Sequence, residues 1–89
     1  MIAEWFVVQT NPQREAFAAD HLSEHEPYFP RFKTPTNRIK PLFPGYIFCV
    51  ATSDWSPIKN TMGVRSILMN GDAPARVSHE LVLELRSRE

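Results

Sequence analysis

At 89 residues, with 43% hydrophobic and 11% aromatic content, the chain has material for one small domain with one core and none for a second. Ten acidic residues balance ten basic ones, so net charge singles out no partner, and the composition is that of an ordered globular protein, not a disordered tail. The single cysteine, Cys49, cannot form an internal disulfide and fits a reducing, cytoplasmic setting, and no apolar stretch approaches the roughly 18 residues that cross a bilayer.

The run Trp5-Phe6-Val7-Val8 predicts a first strand over residues 4–10, buried on both faces. Asn11-Pro12 supplies a helix start, since Asn can cap free amides and Pro at the first helical position forfeits no hydrogen bond. The helix is expected from Pro12 to about His25, with Phe17, Ala18 and Leu22 as its apolar stripe and Pro27 ending it. Residues 28–33 alternate as a second strand, which Pro30 places at a sheet edge or bulge. Two prolines and an Asn make residues 34–41 a loop or hairpin tip.

Residues 42–50 are almost entirely apolar and give the strongest strand in the sequence, with Gly45 permitting a bulge or close approach. Ser53 or Asp54 can cap a second helix of about two turns, carrying Trp55, Ile58 and Met62 at helical spacing and closed by Gly63. Residues 64–69 form a fourth strand, ended by the turn residues Asn70-Gly71-Asp72. Ser78 caps a last helix with the stripe Leu81, Val82, Leu85. The expected fold is α+β, a four-stranded, mainly antiparallel sheet with flanking helices.

Charge is unevenly spread. No Asp or Glu lies between Pro27 and Ser53, whereas Arg31, Lys33, Arg38 and Lys40 all do. Such a run is either a solvated loop or a nucleic-acid contact. The string His21-Leu22-Ser23-Glu24-His25 has the spacing of one class of zinc peptidases, but a catalytic zinc needs a third protein ligand and a cleft, so a polar helix end is the simpler reading. Cys49 sits inside the apolar strand, and three glycines leave little for a phosphate-binding loop. A binding module is favoured over an enzyme. In the strongest strand Tyr46, Phe48 and Val50 share one face while Ile47 and Cys49 share the other, so the sheet is apolar on both sides. Three short helices leave part of one face open for docking.

Trp5-Phe6-Val7-Val8-Gln9-Thr10, Arg14-Glu15, Tyr28-Phe29-Pro30-Arg31, Pro41-Leu42-Phe43-Pro44-Gly45-Tyr46-Ile47-Phe48 and Gly63-Val64 occur here in this order. In them the chain resembles, over essentially its whole length, the N-terminal (NGN) domain of the NusG family of transcription elongation factors. The resemblance implies one NGN-like domain over residues 1–89, without enzymatic activity or cofactor, that acts as a monomer on RNA polymerase. It would dock on the clamp helices of the largest subunit and reach across the DNA channel, favouring the closed clamp as a population shift. By position, Phe43, Tyr46 and Phe48 would supply the apolar contacts, each worth ~2 kcal/mol or more at the centre of an interface.

Asp54, Trp55 and Ser56 stand where RfaH-like paralogues touch the opposite side of the channel, although the polar His-Thr-Thr set of those paralogues is absent. Gln13 and Arg14, with Arg38 and Lys40 from the connector, become candidate contacts to the nontemplate DNA strand through phosphate attraction. The short connector over residues 34–40 resembles that of a specialised, RfaH-like paralogue directed to particular operons. The family's C-terminal KOW barrel, which contacts the ribosome or termination factor Rho, has no counterpart in these 89 residues. The alternative is a single-stranded nucleic-acid binder that stacks bases on the same aromatics without polymerase.

Overall fold

The computed structural model describes residues 3–88. In chain order the elements are β1 (Glu4–Thr10), α1 (Glu15–His21), β2 (Pro27–Tyr28), β3 (Arg31–Lys33), β4 (Ile39–Pro41) and β5 (Tyr46–Val50). They continue with α2 (Ser56–Lys59), β6 (Val64–Ile67), β7 (Met69–Asn70), β8 (Ala73–Pro74), β9 (Arg76–Ser78) and α3 (His79–Ser87).

β1 runs through the centre of the main sheet, in the order β2-β5-β1-β6. It pairs antiparallel with β5, Trp5 opposite Val50 and Gln9 opposite Tyr46. Its other edge is shared: β6 pairs with Val8 to Thr10, and β9 with Glu4 to Phe6. The expected α+β class and antiparallel sheet are therefore present, with five strands among the described residues where four were expected. The added strand is β9.

Alternation along β1 and β5 builds two separate apolar layers. Phe6, Val8, Ile47 and Cys49 point to one face, where they are fully buried with Ala18 and Leu22 from the α1 region and Ile58 of α2. Trp5 and Phe48 point to the other, packed with Tyr28 and with Val82 of α3. Complete burial of a side chain such as Phe6 or Ile47 contributes ~1.5–3 kcal/mol, which is why the sheet holds its register.

Several expected boundaries move, each for a local reason. The first helix begins at Glu15 rather than Pro12, because Gln13 has φ 60° and the Asn11 carbonyl accepts the Arg14 N–H at 3.0 Å in a turn. The Asn11 N–H donates to Gly63 O at 2.9 Å, tying this corner to the start of β6. The helix also ends early, at His21, and a single 3₁₀ turn (Ser23–His25) follows before Glu26 takes a left-handed conformation. His21 and His25 therefore do not share one helix, and the one-turn histidine spacing of the zinc motif is not built.

Pro30, fully buried, divides the expected second strand into β2 and β3. β3 turns back at Thr34 to Arg38 and pairs with β4 as a separate two-stranded ribbon, a hairpin tip as the sequence indicated. The strongest strand starts at Tyr46, not Leu42, since Leu42 to Gly45 form a turn closed by Tyr46 N–H to Phe43 O at 3.0 Å. Helix two shrinks to α2, and Met62 is 67% exposed instead of packing. Its Asp54 carboxylate does accept the Ser56 N–H at 3.2 Å. The fourth strand stops at Ile67, and β7 with β8 forms a small hairpin around Gly71. Ser78 caps α3 as expected, its Oγ accepting the Leu81 N–H at 3.2 Å.

Candidate functional site

Four of the groove-facing side chains come from β1, the turn before β5, and β5 itself. Val7, Phe43, Tyr46 and Phe48 form one wall and floor, and Val77, Leu81 and Leu85 form the other wall, around a groove of about 320 Å³. Every lining residue is aliphatic or aromatic. The groove exists because α3 is too short to cover the whole sheet face: Val82 seals one part against Trp5, Tyr28 and Phe48, while Leu81 on its flank stays 42% exposed. Phe48 is only 5% exposed and is part of the core; Phe43 is 40% exposed and packs edge-on against it, ring centres 6.2 Å apart and planes at 84°. Such an edge-to-face pair suits aromatic quadrupoles and holds Phe43 upright at the rim.

The structure thus brings the three aromatics singled out in the sequence into one groove, with different duties. Phe43 and Tyr46 offer surface; Phe48 supports them. Tyr46 also borders a second depression of about 450 Å³, with Gln13, Glu15, Pro44 and Arg65 among its lining. The turn carrying Phe43 is anchored from α1. Glu15 Oε2 accepts the Gly45 N–H at 3.0 Å, and the Thr10 N–H donates to Gly45 O at 2.8 Å.

Asp54, Trp55 and Ser56 are not part of this groove. Trp55 packs with the layer of Phe6, Val8 and Ile47, on the opposite face of the sheet, while Asp54 and Ser56 are exposed and joined by their own hydrogen bond. Gln13 and Arg14 are exposed on the β1–α1 connection, the Arg14 guanidinium 5.5 Å from the Phe17 ring centre. Arg38 lies in the β3–β4 turn, where its N–H donates to Thr34 Oγ1 at 3.1 Å, and Lys40 pairs with Phe32 across the ribbon. All four candidate nucleic-acid residues are exposed, on two separate segments. Arg65 was not singled out in the sequence; it stands alone in β6, and only the fold brings it to the depression containing Gln13.

Among the described residues no group of three or more His, Cys, Asp or Glu side chains is placed to hold a metal ion. Burial pushes the Cys49 thiol up to about 12 from its ordinary 9.0, the opposite of an activated nucleophile. No helix among the described residues is long and apolar enough to cross a membrane.

The family described as NusG, transcription termination factor nusG, matches residues 3–86. The chain belongs to the NusG family. A search of curated proteins gives no match. NusG proteins are transcription factors rather than enzymes, and NusG domains generally bind RNA polymerase. For a NusG domain, the open apolar groove is accordingly the leading candidate for contact with another protein.

Proposed function

We propose that this domain is a transcription elongation and antitermination factor module that binds the clamp helices of RNA polymerase through the groove between β5 and α3. The observation that carries the reading is the groove itself, an all-apolar depression with Phe43 exposed and Tyr46 half-buried at its rim. A polar ligand has nothing to bind there, whereas an amphipathic helix lays its apolar face into a groove of this kind. Holding the clamp closed then shifts the polymerase away from its paused conformation and promotes processive transcription, with no chemical step by the domain. Gln13 and Arg14, together with Arg38 and Lys40, would contact phosphates of the nontemplate strand, a reading supported by their exposure and by Arg65, which lines the same depression as Gln13.

The short β3–β4 turn favours a specialised, RfaH-like paralogue over a housekeeping factor. Trp55 is assigned to packing, so any contact with the far side of the channel falls to Asp54 and Ser56. The setting is cytoplasmic, and contacts with ribosome or Rho would belong to a KOW domain outside these residues.

The test is affinity for bacterial core RNA polymerase, measured by titration and pull-down. Phe43→Ala with Tyr46→Ala should weaken binding by ~30-fold if one anchor dominates and by about 10³-fold if the two add, since anchors of this type are each worth ~2 kcal/mol or more. Phe48→Ala is unsuitable, because emptying a core site costs ~3–5 kcal/mol of stability by itself. Wild-type affinity in the double variant would sink the groove assignment. Binding to naked single-stranded oligonucleotides that vanishes with the same double substitution would instead favour the stacking alternative.

A further inference from the structure

His79, Val82 and Arg86 stand three and four residues apart on α3, so they share the helix face that meets Trp5 of β1. Val82 packs in the buried layer with Trp5. Arg86 places its guanidinium 5.7 Å from the Trp5 ring centre and 4.6 Å from that of Tyr28. His79 meets Trp5 at its edge, Nδ1 accepting the indole Nε1–H at 3.0 Å. The ring planes are 3° apart and the centres 6.1 Å apart, which sets the rings edge to edge and aims the N–H along the Nδ1 lone pair. Leu81 and Leu85, on the flank of the same helix, form one wall of the groove. A nine-residue helix is too short to hold its place alone, so what ties α3 to Trp5 also fixes that wall.

An indole nitrogen can only donate, so this bond exists only while His79 Nδ1 carries no proton. In an imidazolium both ring nitrogens are donors. The Trp5 N–H, on a side chain 3% exposed, would then face another N–H, and a buried donor without an acceptor is costly. His79 itself is half-buried at the first position of α3, where protons reach it. The elements that meet at this corner carry further charge. Glu4 of β1 and Arg76 of β9 are paired at 3.4 Å, Glu80 follows His79 on α3, Arg86 lies over Trp5, and β2 brings the Tyr28 phenol under Arg86. Two carboxylates thus stand with two guanidinium groups, and what protonation changes here is the acceptor.

We propose that His79 is a pH-responsive latch on α3. Neutral, it ties the first turn of the helix to Trp5 and fixes the groove wall; protonated, it releases that turn and lets the wall move. The consequence for a partner rests on the polymerase-docking reading, whereas the latch belongs to the chain alone.

The 89-residue chain is titrated between about pH 8 and 5, the ordinary range of an imidazole, while NMR follows the His79 ring, the Trp5 indole N–H and the Leu81 and Leu85 methyl groups. All should move with one midpoint, and the Trp5 indole proton should lose the downfield shift of a hydrogen-bonded N–H. The Trp55 indole, in the opposite layer, is the internal control and should not follow. His79→Phe, which offers no acceptor, should give the acid-form Trp5 and leucine signals at every pH; the wild-type titration stands without it. On core RNA polymerase, wild type should bind about 2- to 10-fold more tightly than His79→Phe at the alkaline end, and that advantage should vanish at the acid end. Trp5 or leucine signals that stay fixed while His79 titrates would overturn the latch. So would an affinity ratio that ignores pH while Phe43→Ala with Tyr46→Ala abolishes binding. Signals that move together, with polymerase affinity untouched by the alanine pair, would keep the latch and remove the docking reading.

Discussion

Glu15 is a buried acidic residue, 7% exposed, at the first position of α1, and its Oε2 accepts the N–H of Gly45 at 3.0 Å. Gly45, at φ 85°, is thereby held at its nitrogen by Glu15 and at its carbonyl by Thr10, so the turn presenting Phe43 has a fixed height above the sheet. Replacing Glu15 by Ala removes the acceptor and leaves that N–H half-shielded from water. A hydrogen bond to a charged group contributes ~1.5–3 kcal/mol, and partial access of water to Gly45 returns some of it, which leaves an expected loss of ~1–2 kcal/mol. In a domain of this size that lowers the melting temperature by roughly 4–16 °C. Glu15→Gln retains a carbonyl acceptor and should lose less than half as much. Thermal unfolding measures both, and polymerase affinity adds an independent readout, because a loosened turn should weaken binding beyond the fall in folded fraction. An alanine variant that melts with wild type would refute the anchoring role, as would a glutamine variant that falls as far as alanine.

Cys49 should resist thiol reagents at pH 8 in the folded protein and react once urea unfolds it. Its folded-state value of about 12 lies above the ordinary 9.0, so the native chain keeps a proton that the unfolded chain releases, and stability should decline as pH rises between those values. Cys49→Ser should remove that slope in alkaline denaturation curves. At Gly63, with φ 87°, an added Cβ would lie 2.7 Å from Phe17 Cδ1 and 3.2 Å from Ala18 Cα, so Gly63→Ala should cost ~2–4 kcal/mol in urea denaturation. Gly45→Ala, where nothing lies within 4 Å, should show only the backbone share of that loss.

β1 was legible to its ends because its aromatic and branched residues are buried on both faces, and composition reports that directly. β9 was not, since Arg76-Val77-Ser78 offers one β-branched apolar residue and becomes a strand by pairing with the lower half of β1. The start of α1 was misplaced because Asn11 can cap a helix in isolation, but its backbone is already committed to Gly63. At the groove, strand alternation put Tyr46 and Phe48 on one face, as found. It could not show that Phe48 would be sealed by Val82 while Phe43 stayed open, because that depends on where a nine-residue helix comes to rest. The helical stripe Leu81, Val82, Leu85 was likewise visible as apolar, but only the packed structure divides it into a buried Val82 and an exposed Leu81.

The partition of the interior by the sheet also gives the protein two optical reporters. Of its two tryptophans, Trp5 lies in the layer beneath α3, its Nε1–H donating to His79 Nδ1 at 3.0 Å, and Trp55 lies in the layer beneath α1 and α2. Emission from Trp5 therefore follows the side that carries the groove, while Trp55 follows the side that does not. In single-tryptophan versions of the chain, loss of order in either layer, or occupancy of the groove, can be followed by fluorescence without an added label.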